Sequence, residues 1–105
     1  MIYKHYPENG VMNYKDYDIQ NRELFDRVKL ISNSQRFRII ELTQENQLSI
    51  TELCSKLKLA YNKCADYARM LAQYKLIKKT KFGKEVKVLS FVKLYKNKIE
   101  FINNS

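Results

Sequence analysis

Glycine is nearly missing from this 105-residue chain, and with only Gly10 and Gly83 there is no glycine-rich loop to cradle a phosphate group. Histidine occurs once, at His5, so no serine or cysteine has a plausible histidine partner to activate it; no catalytic residues are expected, and the chain does not read as an enzyme. Two cysteines and that one remote histidine fall short of the four ligands that structural zinc wants, so neither a metal nor a cofactor is expected. No apolar run approaches the ~18 residues that mark a membrane-spanning helix. The opening MIYKHYPENG has neither the apolar stretch nor the small-residue cleavage site of a signal peptide, so the expected location is the cytoplasm, with no membrane partner. Nothing indicates a small-molecule ligand.

What is present is enough for one domain with one core: 45% of the residues are hydrophobic and 30% charged. The charges are unevenly placed. Residues 1–50 carry seven basic and seven acidic side chains, whereas residues 51–105 carry thirteen basic and four acidic, so the net charge of +9 lies wholly in the second half. A one-sided positive surface attracts polyanions by long-range field and by counterion release. Nucleic acid is the leading partner, against a plainer reading in which surface lysines only keep a small protein soluble.

Periodicity divides the chain. Residues 1–20, with Pro7, His5 and the turn-like Glu8 to Gly10, show no helical period and read as an extended arm or a short strand. From Asn21, Leu24, Phe25, Val28 and Ile31 recur at helical spacing. A second helix is expected from about Ser34 to Gln44, capped from Ser32 to Ser34, with Phe37, Ile40 and Leu42 inward and Arg36 and Arg38 outward. Leu48 to Ile50 forms a short β-like step. Thr51 then caps a third helix, TELCSKL, with Leu53 and Leu57 buried. A fourth helix spans Tyr61 to Tyr74, with Cys64, Ala68 and Leu71 on one stripe. From Leu76 to Val92 the period drops to two around Gly83, which predicts a β-hairpin with Ile77, Val86 and Val88 inward. The tail from Lys93 to Ser105 fits either a helical stripe (Phe91, Leu94, Tyr95, Ile99, Ile102) or a strand at KIEFI, and the helix is favoured.

This order, from ISNSQRFRIIELTQENQLSITELCSKL through the Tyr61 helix to the basic hairpin, resembles the winged helix-turn-helix of ArsR-type and MarR-type regulators and of small archaeal winged-helix proteins. The match covers Ile31 to about Ser90. It implies a mainly α fold with a small β-hairpin wing (α+β). Lysines at 58 and 75 stand where that pattern usually has glycine, which predicts turns that are strained by about 1 kcal/mol or differently shaped. The resemblance makes the Tyr61 to Tyr74 helix the recognition helix. The major groove of B-DNA admits such a helix, whose exposed N-terminal half offers Tyr61, Asn62, Lys63 and Asp66 to base edges. Arg69 is assigned to phosphate. Two plainer roles are open: Tyr61 packing on the turn, and Asp66 pairing with Lys63 or Arg69. In the wing, Lys79, Lys81, Lys84 and Lys87 can hold a phosphate backbone or enter the minor groove, or can simply guard a strand edge from aggregation.

Cys54 and Cys64 fall at interior positions of the two motif helices. Two buried free thiols and a disulfide between Cys54 and Cys64 are both open, and a metal sensor of the ArsR type would need paired cysteines that are absent. The resulting expectation is a sequence-preferring double-stranded DNA-binding protein, a nucleoid-associated transcriptional regulator. It is expected to act as a homodimer, because one recognition helix contacts few base pairs and because Leu24, Phe25 and Val28 and the tail offer apolar surface beyond the motif. Terminal helices make the dimer in the resembling families. The rivals are a non-specific architectural or chromatin protein and a protein-interaction adaptor, though an adaptor has no reason to gather this charge.

Overall fold

In the computed structural model the described backbone covers residues 14–102, and side chains are described from residue 21. His5, residues 1–13 of the expected arm and residues 103–105 lie outside this range. The first helix, α1, is Tyr14–Ile31, and it begins seven residues before the sequence placed it. The expected extended arm is therefore helical from Tyr14 onward. Its added stretch, YKDYDIQ, contains neither proline nor glycine, so nothing in it interrupts a helix.

The remaining helices are α2, Ser34–Leu42; α3, Ile50–Leu57; and α4, Tyr61–Gln73. Asn33 caps α2 by accepting from the backbone N–H groups of Gln35 and Arg36. Thr51 is not the cap of α3. Ser49 is, in a capping box: its hydroxyl accepts from the Glu52 N–H, and the Glu52 carboxylate accepts from the Ser49 N–H at 2.8 Å. That backbone hydrogen bond holds the Glu52 carboxyl below its ordinary pKa.

Both lysine turns take the shape that glycine usually takes. Lys58 and Lys75 sit in the left-handed region at φ 58° and 61°. Leu59 N–H reaches back to the Cys54 carbonyl at 3.0 Å, and Leu76 N–H to the Leu71 carbonyl at 2.9 Å, the long return bond of a Schellman helix end. The geometry is ordinary and the residue type is what strains it.

Five strands follow among the described residues: β1, Leu48–Ser49; β2, Ile77–Phe82; β3, Glu85–Ser90; β4, Val92–Tyr95; and β5, Lys98–Phe101. The first three form an antiparallel sheet in the order β1-β3-β2, with Leu48 opposite Val88 and Lys79 opposite Val88 on the other side. Between Phe82 and Glu85 the turn has positive φ at Gly83 and not at Lys84, the pattern of a II′ hairpin that matches strand twist. The favoured helical tail is replaced by a second hairpin, β4–β5, with Val92 opposite Phe101 and Leu94 opposite Ile99.

The core joins all of these layers. Ile39, Ile40, Leu53, Cys64, Ala68, Leu71 and Val88 are wholly enclosed, and Leu76, Ile77 and Val92 nearly so. Ile39 takes the central place in α2 that was expected of Phe37 and Leu42, which are only half-buried. Thr43, also enclosed, returns its hydroxyl to the Ile39 carbonyl at 2.7 Å, and its carbonyl accepts from Ser90, tying α2 to the end of the sheet.

Candidate nucleic-acid interface

Helix α4 is seated by its apolar stripe. With Cys64, Tyr67, Ala68 and Leu71 turned into the core, the N-terminal turns are left with Tyr61, Asn62 and Lys63 exposed, and Asp66 and Arg69 one turn on. These five expected contact residues share the outer side of one helix. Within that set, Arg69 donates to Asp66 at 2.8 Å; both side chains are more than 60% exposed, so the pair is worth at most ~1 kcal/mol and leaves Arg69 available to phosphate.

Lys63 has a resting place. Its ammonium lies 5.1 Å from the centroid of the Tyr67 ring, while the Arg36 guanidinium approaches the same ring at 5.3 Å. Tyr67 in turn donates its hydroxyl to the Gln35 side chain at 2.9 Å, and Arg36 donates to the Leu30 carbonyl at 2.6 Å. Arg36, expected to point outward, is thus half-buried and binds α1, α2 and α4 together. Spacing of four residues ties Lys63 to Tyr67 in the sequence; the arrival of Arg36 and Gln35 from α2 is tertiary and had no local signal.

The β2–β3 hairpin carries the second group. Register puts Lys79 and Lys81 on the face of Val86 and Val88, and Lys78, Thr80 and Phe82 on the other face with Lys87. Lys79, Lys81 and Lys84 are exposed. Lys87 is half-buried, leans over the Phe82 ring at 5.6 Å and is near enough to Glu52 to help lower its pKa. It is drawn toward the body of the protein more than the other three. Phe82, 49% exposed beside the tip, was not among the expected contact residues, although the period-two pattern already turns it away from the core.

The cysteines are free: Cys64 is enclosed and Cys54 half-buried, and the disulfide reading is set aside. They are still neighbours. Burial, with a smaller contribution from Cys54, pushes the Cys64 thiol up to about 11. Among the described residues no group of three or more histidine, cysteine or acidic side chains is placed to hold a metal ion. No described helix is long and apolar enough to cross a membrane.

No protein-family model and no curated protein matches the sequence. Solved structures do match. Reduced HlyU from Vibrio cholerae superimposes with a TM-score of 0.66 over 72% of this chain and 80% of its own, at 21% identity. The homodimeric winged helix-turn-helix DNA-binding domain of Mb0332 from Mycobacterium bovis gives 0.67 over 75% and 72%, at 10% identity. This chain has the winged helix-turn-helix fold. The transcriptional regulator HlyU from Vibrio vulnificus gives 0.62 over 75% and 82%, at 25% identity. What these similarities establish is architecture: α3 and α4 form the helix-turn-helix, and the β2–β3 hairpin is the wing.

Proposed function

We propose that this winged helix is a sequence-preferring double-stranded DNA-binding protein, a transcriptional regulator that works as a homodimer. The observation that carries the reading is the pairing of two uncovered surfaces: the outer side of α4, with Asn62 and Lys63 in its first turn, and a wing with Lys79, Lys81 and Lys84 exposed. Helix and wing then contact adjacent parts of a duplex, the helix reading and the wing holding phosphate. The similarity to a transcriptional regulator of Vibrio vulnificus and to a homodimeric DNA-binding domain of Mycobacterium bovis supports it.

Roles follow from chemistry and magnitude. Asn62 pairs in two-pronged fashion with adenine, and Asp66 accepts from cytosine or repels phosphate. Lys63 leaves the Tyr67 ring for guanine, because an exposed cation–π contact is worth about 0.5–1 kcal/mol and a good base contact about 1–3 kcal/mol. Arg69 holds phosphate. Selection of bound DNA from a random pool tests the assignment. A single preferred sequence is expected, with Lys63→Ala changing the preference and Arg69→Ala weakening all sequences alike. Equal affinity for the selected site and bulk DNA at physiological salt would favour an architectural role instead.

A further inference from the structure

The tail hairpin has two unlike faces. Val92, Leu94, Ile99 and Phe101 share one, which packs toward the core, while Lys93, Tyr95, Lys98 and Glu100 share the other. Ile99 alone of the apolar four is exposed, at 43%. It lines a groove of about 580 Å³ with Val28, Ile31 and Phe37, and beyond Val28 the α1 residues Leu24 and Phe25 are uncovered too.

Among the described residues the sheet of β5 contains only β4, so no described strand pairs with the other edge of β5. Tyr95 and Lys98 close a two-residue turn, and Ile102 donates to the Phe91 carbonyl at 2.7 Å. Alternation between bonded and non-bonded pairs therefore directs the backbone groups of Lys98 and Glu100 toward β4 and those of Ile99 and Phe101 outward. A twofold axis at Ile99 maps this edge onto itself. Antiparallel pairing about that axis sets Ile99 against its own copy in a bonded pair and sets Lys98 opposite Glu100 twice over. Sequence, backbone direction and charge are thus self-complementary at one register.

We propose that a second copy of this chain docks along β5, with Ile99 paired to Ile99 of the partner subunit and Lys98 to the partner's Glu100, making one four-stranded sheet across the dimer. Val28 lies beside that seam, and Leu24 and Phe25 continue the uncovered face of α1 away from it. The inference rests on the homodimer reading above and names the surface that serves it, a strand edge in place of terminal helices.

Sedimentation of the full chain over a concentration series tests it. Lys98→Glu sets two carboxylates against each other across the seam, and Glu100→Lys sets two ammonium groups there, so each variant alone is expected to dimerise about tenfold or more weakly than the wild type. Mixing the two variants restores complementary charges, and a heterodimer of near wild-type affinity is expected. Ile99→Pro removes an N–H that points away from β4, so the hairpin persists and the dimer is lost. Single variants that dimerise like the wild type, with Phe25→Glu abolishing association, would overturn the β5 assignment and leave the homodimer standing on α1. A wild-type chain that stays monomeric throughout would overturn both.

Discussion

Lys58 and Lys75 hold backbone angles at which an L side chain costs about 1 kcal/mol or more relative to the right-handed region. Each ends a helix of the helix-turn-helix, so the strain is at the joints that aim α4. Replacing Lys58 by glycine relieves it but frees the unfolded chain, and the two effects partly offset. The expected net gain is about 0.5 kcal/mol, visible as a higher urea midpoint. On the proposed DNA-binding reading, loss of this exposed cation also lowers affinity for DNA. Cys64 supplies the pH dependence. Its folded pKa is raised from 9.0 to about 11, so the unfolded chain loses this proton first and stability declines as pH climbs from 9.0 toward about 11. Comparison of Cys64→Ala with the wild type across that window checks it: the alkaline decline should shrink in the variant. Cys54, half-buried, should react with a thiol reagent in the folded protein, and Cys64 only on unfolding.

Among the elements, the wing's three exposed lysines have a countable effect. If Lys79 and Lys81 meet phosphate, removing both by alanine lowers the steepness of affinity against salt by about 2 on a log–log plot and leaves sequence preference unchanged. An unaltered salt slope with altered preference would assign them to bases. The motif elements were legible because their signals are local and mutually consistent: Cys64, Ala68 and Leu71 at helical spacing, then alternation around Gly83. Two elements were misread for identifiable reasons. In the tail, Phe91, Leu94, Tyr95 and Ile99 satisfy a helical stripe by coincidence, and the competing alternation runs over only four residues per strand; burial of Val92 and the bond from Leu94 N–H to Gln44 at 2.8 Å decide for the hairpin. At α1, the helix runs through seven residues whose polar and aromatic mixture offers no clean apolar face. The Ser49 and Glu52 box was present as S-x-x-E, but the neighbouring Thr51 is an equally good capping residue by type, and only backbone geometry separates them.

For the molecule as a whole, what could be read from the sequence was the architecture and the location of charge. The contacts around the candidate interface, Arg36 and Tyr67 with Lys63, include one that crosses from α2 to α4 and emerges only with the packing. A homodimer carrying two recognition helices should protect two half-sites about one helical turn, ~34 Å, apart, and footprinting on a selected site checks the interval. The wing tip offers a way to see that spacing directly. A Cβ placed at Gly83 would meet nothing within 4 Å, so the tip is held by its own backbone turn and has open space around it. A reporter group on the nearby exposed Glu85 position would therefore ride on the wing and leave its lysines in place. In the proposed homodimer two such reporters, one per subunit, make a molecular caliper whose jaws report how far apart the two wings are held.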